Sequence, residues 1–260
     1  MQNWDNDWRR IASTIYKKPT DSRIMGSVEL DVTKLEEYLS ALRQKGHKIS
    51  FTHYFAWLIS KGFQEATPEF NTYIKRGKVR LRKSIDASVS VLNKDTFQMS
   101  SVTVPSADQY DLIGFAEKLN ELISQQKAAQ QATSSNKNKF AHIPWPFRNW
   151  IYRLIHFLAF DLGISLKVIG LDPSRFGSFI LSNIGSIGLD VGYPAILPAS
   201  DVSVVFTMGK VETKAVYIDD KLEPRRILNM GATMDHRVVD GVHGGRLFRY
   251  LKKRLRNLEM

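Results

Sequence analysis

Apolar residues along the chain switch between period-two and helical spacing, and the switches mark most of its elements. From Ile24 to Val32, Val28, Leu30 and Val32 fall on one side, which reads as a strand. Thr33 then opens a helix with Leu35, Tyr38, Leu39 and Leu42 on one stripe, closed by Gly46. Ser50 opens another, carrying Phe51, Phe55, Leu58, Ile59 and Phe63 and ending near Pro68. A short helix is expected over Arg9 to Lys17, before Pro19. Gly77 marks a hairpin, followed by strand-like runs from Ile85 to Leu92 and from Phe97 to Val104. Asp108 to Gln126 forms a helix with Leu112, Phe115, Leu119, Leu122 and Ile123 on one side.

Past Gly177 the pattern predicts strands over Ser178–Ile184, Val202–Val211, Lys214–Ile218 and Arg226–Met234. A last helix starts near Val242, with Leu247, Leu251 and Leu255 four residues apart. Strands and helices without strict βαβ alternation, and without an internal repeat, point to an α+β fold or a mixed-sheet sandwich. Between the two halves lies KAAQQATSSNKNK, Lys127 to Lys139, the one low-complexity stretch. It reads as a mobile loop over 127–142 within a single domain spanning 1–260, not as a linker. Ile143 to Leu162 is rich in aromatics, yet Arg148, Arg153 and His156 interrupt it. It reads either as a buried helix or as an interfacial amphipathic one.

Composition narrows the function classes. With 37 Lys and Arg against 26 Asp and Glu the formal charge is +11. Cysteine is absent, which excludes a disulfide scaffold, a thiolate zinc site and a cysteine nucleophile. The N-terminus lacks the apolar run of a secretory signal, so a cytoplasmic location is expected. Basic residues cluster at Lys75, Arg76, Lys78, Arg80, Arg82 and Lys83, where the cations alternate with Val79 and Leu81 as on a half-exposed strand. A second cluster, Arg246, Arg249, Lys252, Lys253, Arg254 and Arg256, lies on the last helix. Neither has the aromatic interleaving of a single-strand binding platform, so nucleic acid is not the expected partner. Each reads as a solvated face or a docking surface for an acidic partner.

The chemistry centres on Met234 to Arg246, MDHRVVDGVHGGR. A β-rich run delivers His236, Val238 and Val239 are expected to keep the chain extended, and glycines release it into the helix. An imidazole so placed is the side chain able to accept a proton near neutral pH without special tuning. Three other readings stand beside it. His236 can be a satisfied core histidine, Asp240 can cap the last helix, and Asp235, His236, Asp240 and His243 can be weighed as metal ligands, although their spacing fits known patterns poorly.

The run Asp235-His236-Arg237-Val238-Val239-Asp240-Gly241 resembles the signature of the catalytic domain of dihydrolipoamide acyltransferases, the core subunits of 2-oxo acid dehydrogenase complexes. Phe179-Ile180-Leu181-Ser182-Asn183-Ile184-Gly185 resembles that family's second motif. Phe206-Thr207-Met208-Gly209-Lys210 and the stretch Asp240 to Arg246 look more like the related chloramphenicol acetyltransferases, and Trp8-Arg9-Arg10-Ile11-Ala12 resembles the Arg-rich opening of both. The motifs occur in the family's order over most of the chain.

The resemblance implies a chloramphenicol acetyltransferase-like mixed-sheet, two-layer sandwich with helices. It also implies a homotrimer with active sites between subunits, and a larger cage where trimers assemble further. The implied reaction moves an acyl group between coenzyme A and a dihydrolipoyl thiol, in one ternary complex and with no metal. In that scheme His236 is the general base, Ser182 donates a hydrogen bond to the tetrahedral oxyanion, and Asp240 is a structural carboxylate with Arg10 as its candidate partner. No lipoyl domain, peripheral-subunit-binding domain or Ala/Pro-rich linker is found in the sequence, so the lipoyl group is expected on another protein. Two other readings remain: acetyl transfer to a small hydroxyl or amine acceptor, and a non-catalytic scaffold or membrane-surface core acting through Ile143 to Leu162.

Overall fold

A computed structural model describes residues 22–92, 99–132, 144–158, 162, 164, 176–196 and 200–258. The expected helix over Arg9 to Lys17 and the residue Arg10 lie outside that set. The elements are β1 (Arg23–Asp31), α1 (Thr33–Gln44), α2 (Phe51–Glu65), β2 (Thr72–Lys75), β3 (Lys78–Leu81), β4 (Ala87–Leu92) and β5 (Met99–Val104). They continue with α3 (Leu112–Ala132), α4 (Trp145–His156), β6 (Phe179–Asn183), β7 (Val204–Ile218), β8 (Lys221–Asp235) and α5 (Gly241–Arg256).

Six strands form one mixed sheet in the order β1-β8-β7-β6-β4-β5. β6 runs parallel to both of its neighbours, while the other pairs are antiparallel. The helices supply the second layer. Leu35 and Leu39 of α1, Phe55, Ile59 and Phe63 of α2, Phe115 and Leu119 of α3, and Leu247 and Leu251 of α5 are fully or almost fully buried. They share one core with Phe179, Leu181, Phe206 and Leu228 of the sheet. Period-two alternation sends Ile180 and Val205 to the other face, where they pack with Ile196 and Val202. The expected mixed-sheet, two-layer α+β arrangement is the one observed.

Local chemistry accounts for several boundaries. Asp31 Oδ1 accepts from the Thr33 amide at 3.0 Å and its hydroxyl at 2.6 Å, which fixes the entry to α1. Arg76 and Gly77 both have positive φ, 52° and 71°, the geometry of a tight hairpin turn between β2 and β3.

Five expectations need correction. β7 is continuous where two strands were expected, because Met208 to Val211 forms an irregularity inside one long strand. α3 runs on through Lys127 to Ala132, where a loop was expected, since Lys, Ala and Gln are all good helix formers. On β3, Val79 is buried but Leu81 is 48% exposed, as a two-stranded ribbon covers little of either face. Arg82 turns inward, donating to the Asp201 carbonyl at 2.7 Å and lying 5.0 Å from the centre of the Tyr73 ring. Finally, α4 is not a buried helix: Phe147 is 66% and Trp150 75% exposed.

Candidate active site

His236 sits one residue past the end of β8, and its backbone is held from both sides. Its amide donates to the Ser22 carbonyl just before β1, at 2.6 Å. The preceding Asp235 accepts from the Arg237 amide at 3.0 Å and grips the Arg237 guanidinium at 2.6–3.1 Å, a pair almost closed off from solvent. Val238 and Val239 do not extend the strand as expected. Their amides both reach back to the Asp235 carbonyl, at 3.0 and 3.1 Å, and their side chains are buried. The two valines therefore anchor a turn that presents His236 at the end of its strand.

The orientation of the ring follows from what surrounds Nδ1. It lies 3.0 Å from the Val239 carbonyl oxygen and 3.1 Å from Asp240 Oδ1. Both are acceptors, so Nδ1 carries the proton and donates, and Nε2 holds the basic lone pair. The side chain keeps 30% of its exposure, so His236 is not a buried core residue. Asp240 is also the N-cap of α5, with its own amide donating to His243 Nδ1 at 2.9 Å. Helix capping and histidine positioning are thus one device.

Ser182 is the penultimate residue of β6 and points, with Ile180, to the face away from the helices. Its neighbour Asn183 points the other way, where its amide reaches Thr52 Oγ1 at 3.4 Å on α2. Phe179 and Phe206, with ring centres 5.9 Å apart, support this strand pair from below. Beyond β6 the chain folds back over the sheet. The Ile184 amide donates to the Met208 carbonyl, and Thr207 Oγ1 donates to the Gly192 carbonyl at 2.6 Å. That fold-back needs bare backbone: a Cβ on Gly209 would fall 1.8 Å from the Asp190 oxygen, and one on Gly231 would fall 2.5 Å from the Gly192 oxygen. Gly192 and Gly231 were not singled out in the sequence, because only the strand register brings them together.

The fold unites His236 with Asp240 and keeps Ser182 apart from both. Thr207 pairs with Ser182 on one side and with Gly231 on the other. Ser182 is therefore level with a residue five positions before His236, about 16 Å away along the strand direction. One reacting carbon cannot touch both groups of the same chain. Among the described residues no three His, Asp or Glu groups converge as a metal site would require, and Asp235 is turned to Arg237. On α2, burial pushes the His53 pKa below its usual 6.5, only partly opposed by a hydrogen bond with Asn120, while Ser50 Oγ lies 2.7 Å from its other nitrogen.

Residues 8–141 and 170–260 match the family model described as 2-oxoacid dehydrogenases acyltransferase (catalytic domain). The chain belongs to this family. Among curated members, it is 27% identical over 236 residues to the dihydrolipoyllysine-residue acetyltransferase component of the pyruvate dehydrogenase complex of Haemophilus influenzae. That match covers 88% of this chain and 34% of the relative, so the chain spans about a third of the relative's length. The cubic core of a pyruvate dehydrogenase multienzyme complex superposes with a TM-score of 0.67 at 17% identity, over 96% of this chain and 86% of the other. A dihydrolipoamide acetyltransferase of Azotobacter vinelandii, studied for the role of a serine, a histidine and an asparagine in its catalytic mechanism, gives 0.66 at 16%, over 90% and 82%. A chloramphenicol acetyltransferase gives 0.54 at 14%, over 98% of each chain. These likenesses establish the acyltransferase core fold expected from the motifs.

The family match places His236, Asp240 and Ser182 within shared sequence, along with Arg10. It skips residues 142–169, which contain the whole of α4.

Proposed function

We propose that this chain transfers an acyl group between coenzyme A and a dihydrolipoyl thiol borne by another protein, at a site that two copies complete together. The observation that carries the reading is the clamp on His236 Nδ1, which leaves Nε2 as the base. Nε2 takes the proton of the attacking thiol as its sulfur bonds to the thioester carbonyl carbon. The carbonyl oxygen becomes an oxyanion that Ser182 of the neighbouring copy steadies with its hydroxyl proton. The carbon–sulfur bond to the leaving thiol then breaks, and that thiolate recovers the proton from Nε2. Both sulfurs end neutral, and no acyl-enzyme or metal enters.

The shared site is supported by the separation of Ser182 from His236 and by the surface beside Ser182. The loop after it exposes Ile187, Leu189, Val191 and Tyr193, at 41–59% each, four large apolar side chains suited to cover by another copy. A homotrimer, able to join others in a cage, accounts for both features. Asp240 serves by holding the imidazole, with Arg10 as a further partner of its carboxylate.

The test is incubation of the purified protein with acetyl-CoA and dihydrolipoamide, following S-acetyl-dihydrolipoamide by mass spectrometry beside His236→Ala. Product that disappears in the folded variant is the expected result. Product undiminished by the substitution overturns the base assignment. CoA binding without thiol product redirects the acceptor to a hydroxyl or amine, and no CoA binding favours a scaffold.

A further inference from the structure

Helix α4 lies outside the stretches shared with the family, and its apolar side faces solvent. Phe147, Trp150, Ile151, Leu154 and Phe157 follow one another at spacings of three, one, three and three, which is a single stripe on a helix. All five are exposed, Phe147 and Trp150 by more than half, as are Leu154 at 58% and Phe157 at 51%. From Trp145 to His156 the helix holds no acidic residue, and Arg153 is exposed beside the stripe. At 1.5 Å per residue its 12 residues reach about 18 Å, well short of a bilayer's hydrocarbon core.

The stripe borders a cationic edge. Phe157 accepts at its carbonyl from the Leu162 amide, and the Leu162 carbonyl in turn accepts from Arg76 Nε at 2.9 Å. That contact fastens the tip of the β2–β3 hairpin to the end of the aromatic segment. Lys75, Arg76, Lys78 and Arg80 are all exposed there, and Asn71 to Lys83 contains no acid. An apolar stripe flanked by exposed positive charge complements an apolar layer capped by negative headgroups. A second copy of this chain fits less well, since it would bring the same basic edge against itself.

We propose that α4 and the β2–β3 hairpin form a peripheral docking surface for anionic lipid, with the stripe set into the headgroup layer and the hairpin cations on the headgroups. The surface stands independently of the acyl-transfer reading, because none of its residues belongs to the His236 or Ser182 constellation.

Flotation of the full chain with vesicles of 70% phosphatidylcholine and 30% phosphatidylglycerol tests it. The wild type is expected to float with these vesicles, at least about tenfold less with pure phosphatidylcholine, and less in high salt. The double substitution Trp150→Gln/Leu154→Gln, with helix content and acyl transfer kept, should lower the bound fraction about tenfold or more. Lys75→Glu/Lys78→Glu should do the same for the charged vesicles alone. Wild-type protein that stays with the unbound fraction overturns the proposal, as does unchanged flotation of the Trp150 and Leu154 variant. A fall in oligomer mass in that variant, without vesicle binding by the wild type, assigns the stripe to a protein contact instead.

Discussion

The two ends of the central sheet carry His236 and Ser182, the groups proposed to act together, and they are built differently. At the His236 end every group is held by the chain itself: Asp235 by Arg237, the backbone by Ser22, the ring by Val239 and Asp240, and the turn by buried valines. At the Ser182 end the strand is equally well packed from beneath, yet the loop that follows it leaves four large apolar side chains in solvent. In the proposed shared site, the His236 half is finished within a chain and the Ser182 half presents a surface for a second copy to cover. A proton acceptor needs one fixed orientation, which local contacts can provide. An oxyanion donor needs only to arrive at the reacting carbon, and assembly can bring it there.

Substitutions that break this contrast differ in size. His236→Ala is expected to lower kcat by up to about 10⁴-fold with the oligomer intact, measured by steady-state kinetics with size-exclusion chromatography. Arg237→Met, which leaves Asp235 buried beside an apolar chain, should lower unfolding stability by about 3–5 kcal/mol, read in urea titrations. Ser182→Ala should reduce kcat by about 10²–10³-fold with little change in KM; an effect confined to KM contradicts an oxyanion role. Gly231→Ala forces a methyl onto the Gly192 carbonyl and should cost about 1–3 kcal/mol, with disturbance centred on the loop after Ser182 in hydrogen exchange.

The smallest effect concerns pH. His53 in the folded chain has its pKa depressed, so the unfolded chain binds its proton more readily. Its contribution to stability is present above about pH 6.5 and is lost as pH falls through the folded value. His53→Gln should flatten the fall in urea midpoint between pH 7.5 and 5.5, and an unaltered slope would show that His53 does not set it.

Much of this was legible from the chain. The stripes of α1, α2 and α5, the hairpin at Gly77 and the nearness of His236 to Asp240 all follow from spacings of four residues or fewer, which local geometry fixes. What escaped depends on partners distant in sequence. Val238 and Val239 have strand-like side chains, but burial beneath the turn outweighs that preference. The unity of β7 across its irregularity needs β8 opposite it, and the demand for glycine at 209 and 231 exists only once residues 190 and 192 lie on top. The exposure of α4 is of the same kind, for an amphipathic pattern shows that a face is to be covered without showing by what.

The shared site is tested most directly by subunit complementation. His236→Ala and Ser182→Ala chains, carrying different tags, are co-expressed, and assemblies holding both are isolated and assayed with acetyl-CoA and dihydrolipoamide. If each site takes its histidine from one copy and its serine from the next, every mixed trimer regains one intact site in three, so about a third of the wild-type sites are restored and activity rises far above either parent. Mixed assemblies no more active than the average of their parents would contradict the account, since both groups would then have to act from a single chain.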